Sequence, residues 1–317
     1  MKSQTDKLIE EYFENVLIHI SPFATKKEEI KGLMGIAGKK LGINLSSKSI
    51  ISLLPELQPK KSTFLHFTSL RALQSILNEK CIRMYNLNNM NDPNEVSFSL
   101  SNTGLSDTEI YRIKEKKYCL SLCDFTILES ENILNLWRFY GYKGWGVAIE
   151  LDIEIKYSDF LLAKIIYSEF DLKNFISANS DFEKKYNINV NLKELLGMPF
   201  SFYKNPFYNS EKEVRLLFDG RECQLPHKAI EDLGYKFDFN KRNEKVSYYN
   251  LKLYNDNNDF NIPNITIKNI HLGFQYSKEQ FKEIKKQLLN MQTVLTETRK
   301  KTVQFDVYPS KLKNVFR

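Results

Sequence analysis

Short β-prone runs and amphipathic segments succeed one another in no fixed order, and this constrains the fold more than any other feature. Strand-length runs occur at TFLHFT, CIRMYNL, KYCLSLC, WGVAIEL, LAKIIYS, EVRLLFD, KNIHLG and TVQFDVY. Helical patterns separate some of them. SLRALQSILNEK has Ser69 as N-cap and Leu70, Leu73, Ile76 and Leu77 on one side. SKEQFKEIKKQLLN opens on a capping box from Ser277 to Gln280. Without strict strand–helix–strand alternation, the pattern points to an α+β fold with mixed or antiparallel sheets and flanking helices.

The first 60 residues differ in character. Residues 5–20 have helical periodicity, and Thr25 opens TKKE, a capping-box pattern with Glu28 that predicts a second helix to about Leu41. After Pro55 and Pro59 the texture changes. Residues 1–60 therefore read as an N-terminal helical appendage and residues 61–317 as the main α+β domain. The tract YNDNNDFNIPN reads as a polar loop.

Composition bounds the partners. Of 317 residues, 42% are hydrophobic, enough for a large core. No apolar run approaches the roughly 20 residues of a membrane span. Acidic residues interrupt the N-terminal periodicity, unlike a signal peptide. The expectation is a cytoplasmic protein that does not engage membranes. A net charge of +7 permits an anionic partner, whether nucleotide, nucleic acid or acidic surface. Much of the lysine, however, alternates with glutamate in KKEEIK, KEKK and KEQFKEIKK, the usual pattern of solvated helix faces. Cys81, Cys119, Cys123 and Cys223 are too scattered for a disulfide framework. A zinc site from these with His19, His66, His227 or His271 is the minor reading, and buried thiols acting as small hydrophobes the better one.

Several segments have side chains suited to chemistry. In NSEKEVRLLF, strand periodicity would place Glu211, Glu213 and Arg215 on one face. Such a face is either an exposed ion-pair ladder or a carboxylate held by a guanidinium beside a pocket. His66 lies within the first strand of the main domain, where a structural role is the commoner one. Asn91, Asp92, Pro93 and Glu95 form NDPNE, best read as a helix cap with Asp92 as N-cap. LWRFYGYKGWGVAIEL holds both tryptophans. There Trp137 and Tyr140 end a helix, and Gly141, Gly144 and Gly146 either serve the turn or let a ligand approach the backbone. No P-loop, GxGxxG, HExxH or GxSxG motif occurs.

Taken in order, FLHFTSLRALQSIL, NNMNDPNE, CLSLCD, LWRFYGYKGWGVAIEL, EKEVRLLF and IHLGF resemble the blocks of an uncharacterised bacterial family, domain of unknown function 2971, over roughly residues 62–310. The layout is more distantly similar to ADP-ribosyltransferase-like domains, which open on a strand with His or Arg and close their site with a late E-x-E. That resemblance implies an ADP-ribosyltransferase-like core that takes NAD as substrate and needs no metal. Its product would be ADP-ribose on a nucleic-acid or protein acceptor, or hydrolysed NAD, as in a toxin or antiviral effector. It further implies that Glu213 is the catalytic carboxylate, that Glu211 orients the acceptor, and that Arg215 fixes Glu213. His66 would bind the nicotinamide ribose. Tyr140, beside Trp137, would stack on nicotinamide, with Ser121 or Tyr118 as alternatives for the middle position. Asn91 and Asp92 would border the cofactor. Arg71 and Arg83 are the candidates for phosphate. Competing readings are a non-catalytic nucleotide sensor or partner-binding module, and a metal-dependent nucleic-acid enzyme built on Asp92, Glu95 and Glu213.

Overall fold

The short runs become strands and the amphipathic patterns become helices. The structure is a computed structural model and describes residues 3–19, 34–43, 57–90, 106–155, 160–167, 172–190, 199–220, 235–239, 243–255 and 262–314. In chain order the elements are α1 (Gln4–Asn15), β1 (Met34–Ala37), β2 (Lys40–Ile43), β3 (Thr63–Ser69), α2 (Leu70–Glu79), β4 (Cys81–Asn86), α3 (Asp107–Glu115), β5 (Lys117–Asp124), α4 (Ile133–Phe139), β6 (Gly146–Glu154), β7 (Phe160–Lys164), α5 (Leu172–Tyr186), β8 (Asn189–Val190), β9 (Glu213–Asp219), β10 (Tyr235–Phe239), β11 (Lys245–Lys252), β12 (Asn264–Leu272), α6 (Lys278–Arg299) and β13 (Asp306–Pro309). No helix among the described residues is long and apolar enough to cross a membrane.

Among the described residues, ten strands form one mixed sheet, ordered β10-β11-β4-β5-β3-β6-β12-β13, with β9 pairing β5 and β7 pairing β9. Its pairings are antiparallel except β12 with β13. The α+β expectation holds, with a mixed sheet and several helices. β5 positions the site. Along one edge it pairs β9 from Lys117 to Cys123. On its other edge Cys119 and Tyr118 pair β4, while Cys123 and Asp124 pair β3. Between them, Leu120 to Leu122 have no strand partner on that side among the described residues. β3 and β4 diverge there, and the sheet splits.

Three apolar clusters surround the split. On one face Leu73, Ile76 and Leu77 of α2 and Leu288 and Leu295 of α6 pack over Phe64, Leu120, Leu122 and Ile149. On the other, Ile133, Leu136 and Trp137 of α4 cover Leu65, Phe67 and Ala148. The third cluster joins Ile9, Tyr12 and Phe13 of α1 to Phe175 of α5 and to Leu161 and Leu217 of the sheet.

Local signals explain most boundaries. Ser69 Oγ accepts from Ala72 N, and Ser277 with Gln280 forms the expected capping box. The expected second helix ending near Leu41 is replaced, where described, by the hairpin β1–β2. Its two-residue turn starts at Gly38, whose φ of +62° a β-carbon would resist. β2 also pairs β8, so this hairpin belongs to a three-stranded sheet. The NDPNE segment, including Asn91 and Asp92, lies outside the described residues, as do Cys223 and His227.

Candidate functional site

A cavity of about 720 Å³ fills the split between β3 and β4. That size is within the roughly 300–1,000 Å³ typical of small-molecule sites. His66, Ser121, Tyr140, Glu211 and Glu213 all line it, together with Lys204. Opposite residues of antiparallel strands share a face. The register Leu65↔Cys123↔Glu213 therefore sets Glu213 on one face and His66 on the other. They meet the same cavity because the sheet is open there.

The segment before β9 builds the charged end. The expectation of one strand face bearing Glu211, Glu213 and Arg215 is corrected. Pro206–Glu211 is a 3-10 turn capped by Asn205, and Lys212 takes a left-handed φ of 45° before β9 begins at Glu213. This reversal brings Glu211 back beside Glu213. Tyr203 bridges to Ile166, and Lys204 N donates to Ile166 O at 3.1 Å, which anchors the chain where Lys204 enters the cluster. Lys204 Nζ then donates to Glu211 Oε2 at 2.7 Å and to Glu213 Oε2 at 3.0 Å. Arg215, fully buried, donates from Nε to Glu213 Oε1 at 2.8 Å and from an Nη to the Ser201 carbonyl at 2.7 Å. An exposed ladder is thereby excluded, since every residue of β9 is buried. Two carboxylates face two cations, and the ammonium occupies the space between the acids.

These contacts set the protonation states. Burial pushes the Glu213 carboxyl up, but Arg215 and Lys204 outweigh it and hold the group at about 2. The Ser121 hydroxyl also lies near enough to Glu213 to lower it, although it makes no hydrogen bond of proper geometry. Glu211 moves the other way. Burial raises it, and neither Lys204 nor the Tyr140 hydroxyl, which donates to Oε1 at 2.7 Å, fully compensates. Tyr140 itself is raised by burial and by its bond to Glu211, so it stays a neutral donor. Burial lowers His66, partly offset by its hydrogen bond to Ser121 O at 3.1 Å. A neutral ring donating from Nδ1 to that carbonyl leaves Nε2 as an acceptor.

Other expected site residues lie elsewhere. Trp137 does not line the cavity. It shares the buried stripe of α4 with Ile133 and Leu136, at helical spacing, and meets Phe67 edge-on at 5.1 Å. Tyr118 lies on the opposite face of β5 from Ser121, in an aromatic cluster, 4.5 Å from Tyr249. The glycines of the YGYKGWG block serve packing rather than ligand approach. A β-carbon at Gly146 would lie 2.4 Å from Thr68 O, and one at Gly144 2.7 Å from the Phe274 ring. Cys119 and Cys123 are buried, the latter raised by burial and by Glu213. Arg71 and Arg83 both line the cavity. Arg83 also reaches Asp238 at 3.8 Å and lies over the Tyr248 ring.

Sequence reasoning missed Lys204. Nothing in SFYKNPF marks it beyond a lone cation amid aromatic residues, because its partners are set by the 3-10 turn. It also missed the hairpin β10–β11, although YKFDF alternates with strand period. No family model, no curated protein and no solved structure matches this chain.

Proposed function

We propose that the protein consumes NAD, passing ADP-ribose to an acceptor or, with water as acceptor, hydrolysing NAD. The supporting observation is a single cavity that contains an ionised carboxylate fixed by two cations, a neutral imidazole and a tyrosine hydroxyl. Nicotinamide is already a leaving group, so the pocket's work is orientation and charge stabilisation. Glu213 accepts a hydrogen bond from a ribose hydroxyl and stabilises positive charge developing at C1. His66 Nε2 accepts from the same sugar, Tyr140 flanks the nicotinamide, and Arg71 and Arg83 of the cavity lining pair with the phosphates. The bond from C1 to the nicotinamide nitrogen breaks with its electron pair leaving on nicotinamide. The acceptor's lone pair closes on C1, and its proton goes to solvent. The motif order resembling ADP-ribosyltransferase-like domains agrees with this assignment, and a toxin or defence effector is the corresponding role.

A second reading, a nucleotide sensor without turnover, is favoured by the internal charge balance of the cluster, which is complete without a ligand. Incubation of the purified protein with NAD separates the two. Nicotinamide release that falls about 100-fold or more in Glu213→Gln, but not in Glu129→Gln on the exposed 3-10 turn, supports the enzyme. Saturable binding of NAD without release, and equal growth of cells expressing wild type or Glu213→Gln, supports the sensor.

A further inference from the structure

We infer that a groove beside the cavity binds single-stranded nucleic acid. This groove, of about 570 Å³, is lined in part by Asn135, Arg138, Phe139, Lys143, Phe274 and Gln275. Among the described residues its lining holds two cations and no carboxylate. Neither Arg138 nor Lys143 makes an ion pair among the described residues, and both are exposed. Phe139 is 76% exposed and Tyr142 64%, high values for rings of this size on a protein surface.

The backbone is built to present these groups. Tyr142, Lys143 and Gly144 take φ values of 53°, 57° and 86°, a left-handed run that L side chains rarely adopt. Two contacts maintain it. Gln275 N donates to Gly144 O at 3.1 Å, and the Phe274 ring fills the space a β-carbon at Gly144 would need. The turn thus carries an exposed tyrosine and lysine beside the arginine and phenylalanine of α4.

An anionic backbone with flat rings fits this surface. Phosphates pair with Arg138 and Lys143, while unstacked bases lie on Phe139 and Tyr142. An acidic peptide would satisfy the cations but not the aromatic faces. Phe139 lines both groove and cavity, so a strand lying in the groove reaches the cavity mouth across this ring. Binding does not require that the cavity turn over NAD.

Fluorescence anisotropy with labelled oligo-dT and oligo-U of about 12 nucleotides tests the groove. Saturable binding is expected. The double variant Arg138→Ala/Lys143→Ala should weaken it at least tenfold and flatten the slope of log K against log salt by about 1.4. Phe139→Ala should weaken it about fivefold or more and leave the salt slope unchanged. Lys286→Ala on α6 should bind as wild type. The inference is overturned by absence of saturable binding, by equal loss in Lys286→Ala, or by polyglutamate competing as well as oligonucleotide, which would make the partner an acidic protein surface. Circular dichroism of each variant checks that the fold is retained. Nicotinamide release is measured separately: oligonucleotide binding without release sinks the NAD reading alone, and release without binding sinks the groove alone.

Discussion

β5 and β9 bury ionic groups at both ends of their shared ladder, and the two ends do different things. At one end Lys117 and Asp219 are register partners with neither side chain exposed, 3.9 Å apart. Asn86 seals that end by donating to the carbonyls of Glu115 and Lys117 at 2.8 and 3.1 Å. At the other end Glu213 sits opposite Cys123, with Arg215 and Lys204 on its oxygens. That end opens on the cavity of about 720 Å³. Burial of charge is therefore common to both, and the void distinguishes them. A buried pair without a void is architecture, whereas one facing a void can meet a ligand.

The comparison breaks or sharpens under substitution. The largest separation is expected between Glu213→Gln and Asp219→Asn. Both should lose stability, on the order of 3–5 kcal/mol each, because a buried ion pair loses its carboxylate charge. Only Glu213→Gln should abolish nicotinamide release, with Asp219→Asn retaining wild-type turnover in the fraction that is folded. Urea melts alongside the release assay read both quantities. If Asp219→Asn abolishes release as well, the contrast between the two ends is wrong.

Next in size is Lys204→Met. Removing this cation leaves Glu211 and Glu213 facing each other with Arg215 alone to balance them. The expected cost is again about 3–5 kcal/mol at neutral pH. It should shrink as the medium is acidified, because a proton taken up by Glu211 relieves the repulsion. Lys117→Met faces a single carboxylate. It should show a similar cost at neutral pH, without the second carboxylate's contribution.

A smaller effect is the acid dependence of the wild type. Glu213 is held at about 2 against an ordinary value of 4.5. A depressed carboxyl contributes stability that is fully present above 4.5 and is lost as pH falls through about 2. Glu213→Gln should lack this loss over that window, which denaturation curves from pH 5 to 2 would reveal. His66 is lowered, so the neutral acceptor persists below pH 6.5, and the acid limb of nicotinamide release should fall beneath that value. The smallest expected effect is at Ser69→Ala. It removes the cap of α2, which borders the cavity, and should cost about 1 kcal/mol.

Much of the fold was readable from local chemistry. Caps at Ser69 and Ser277 and the apolar stripe of α2 arise from neighbours a few residues apart, which sequence spacing records directly. The α4 stripe is equally periodic, and Trp137, expected beside the cofactor, belongs to that stripe. A bulky ring at helical spacing with Ile133 and Leu136 goes to the core, and Tyr140, beyond the helix end, goes to the cavity. The helix expected to about Leu41 gives way to a hairpin because lysine and leucine suit both, and the φ of Gly38 marks the turn.

By itself, then, the sequence determined the α+β character and the positions of β3, α2, β4, β5, β6 and β9 and the start of α6, since periodicity and capping are short-range. It also singled out Glu211, Glu213 and Arg215 as an unusual concentration of charge. Only the tertiary structure decided that this charge is buried, that Lys204 neutralises it, and that β3 and β4 part to leave a void beside it. Those outcomes depend on which strands β5 can hold at once and on a turn that folds back on itself. Both are long-range packing results, on which the spacing of residues along the chain places no constraint.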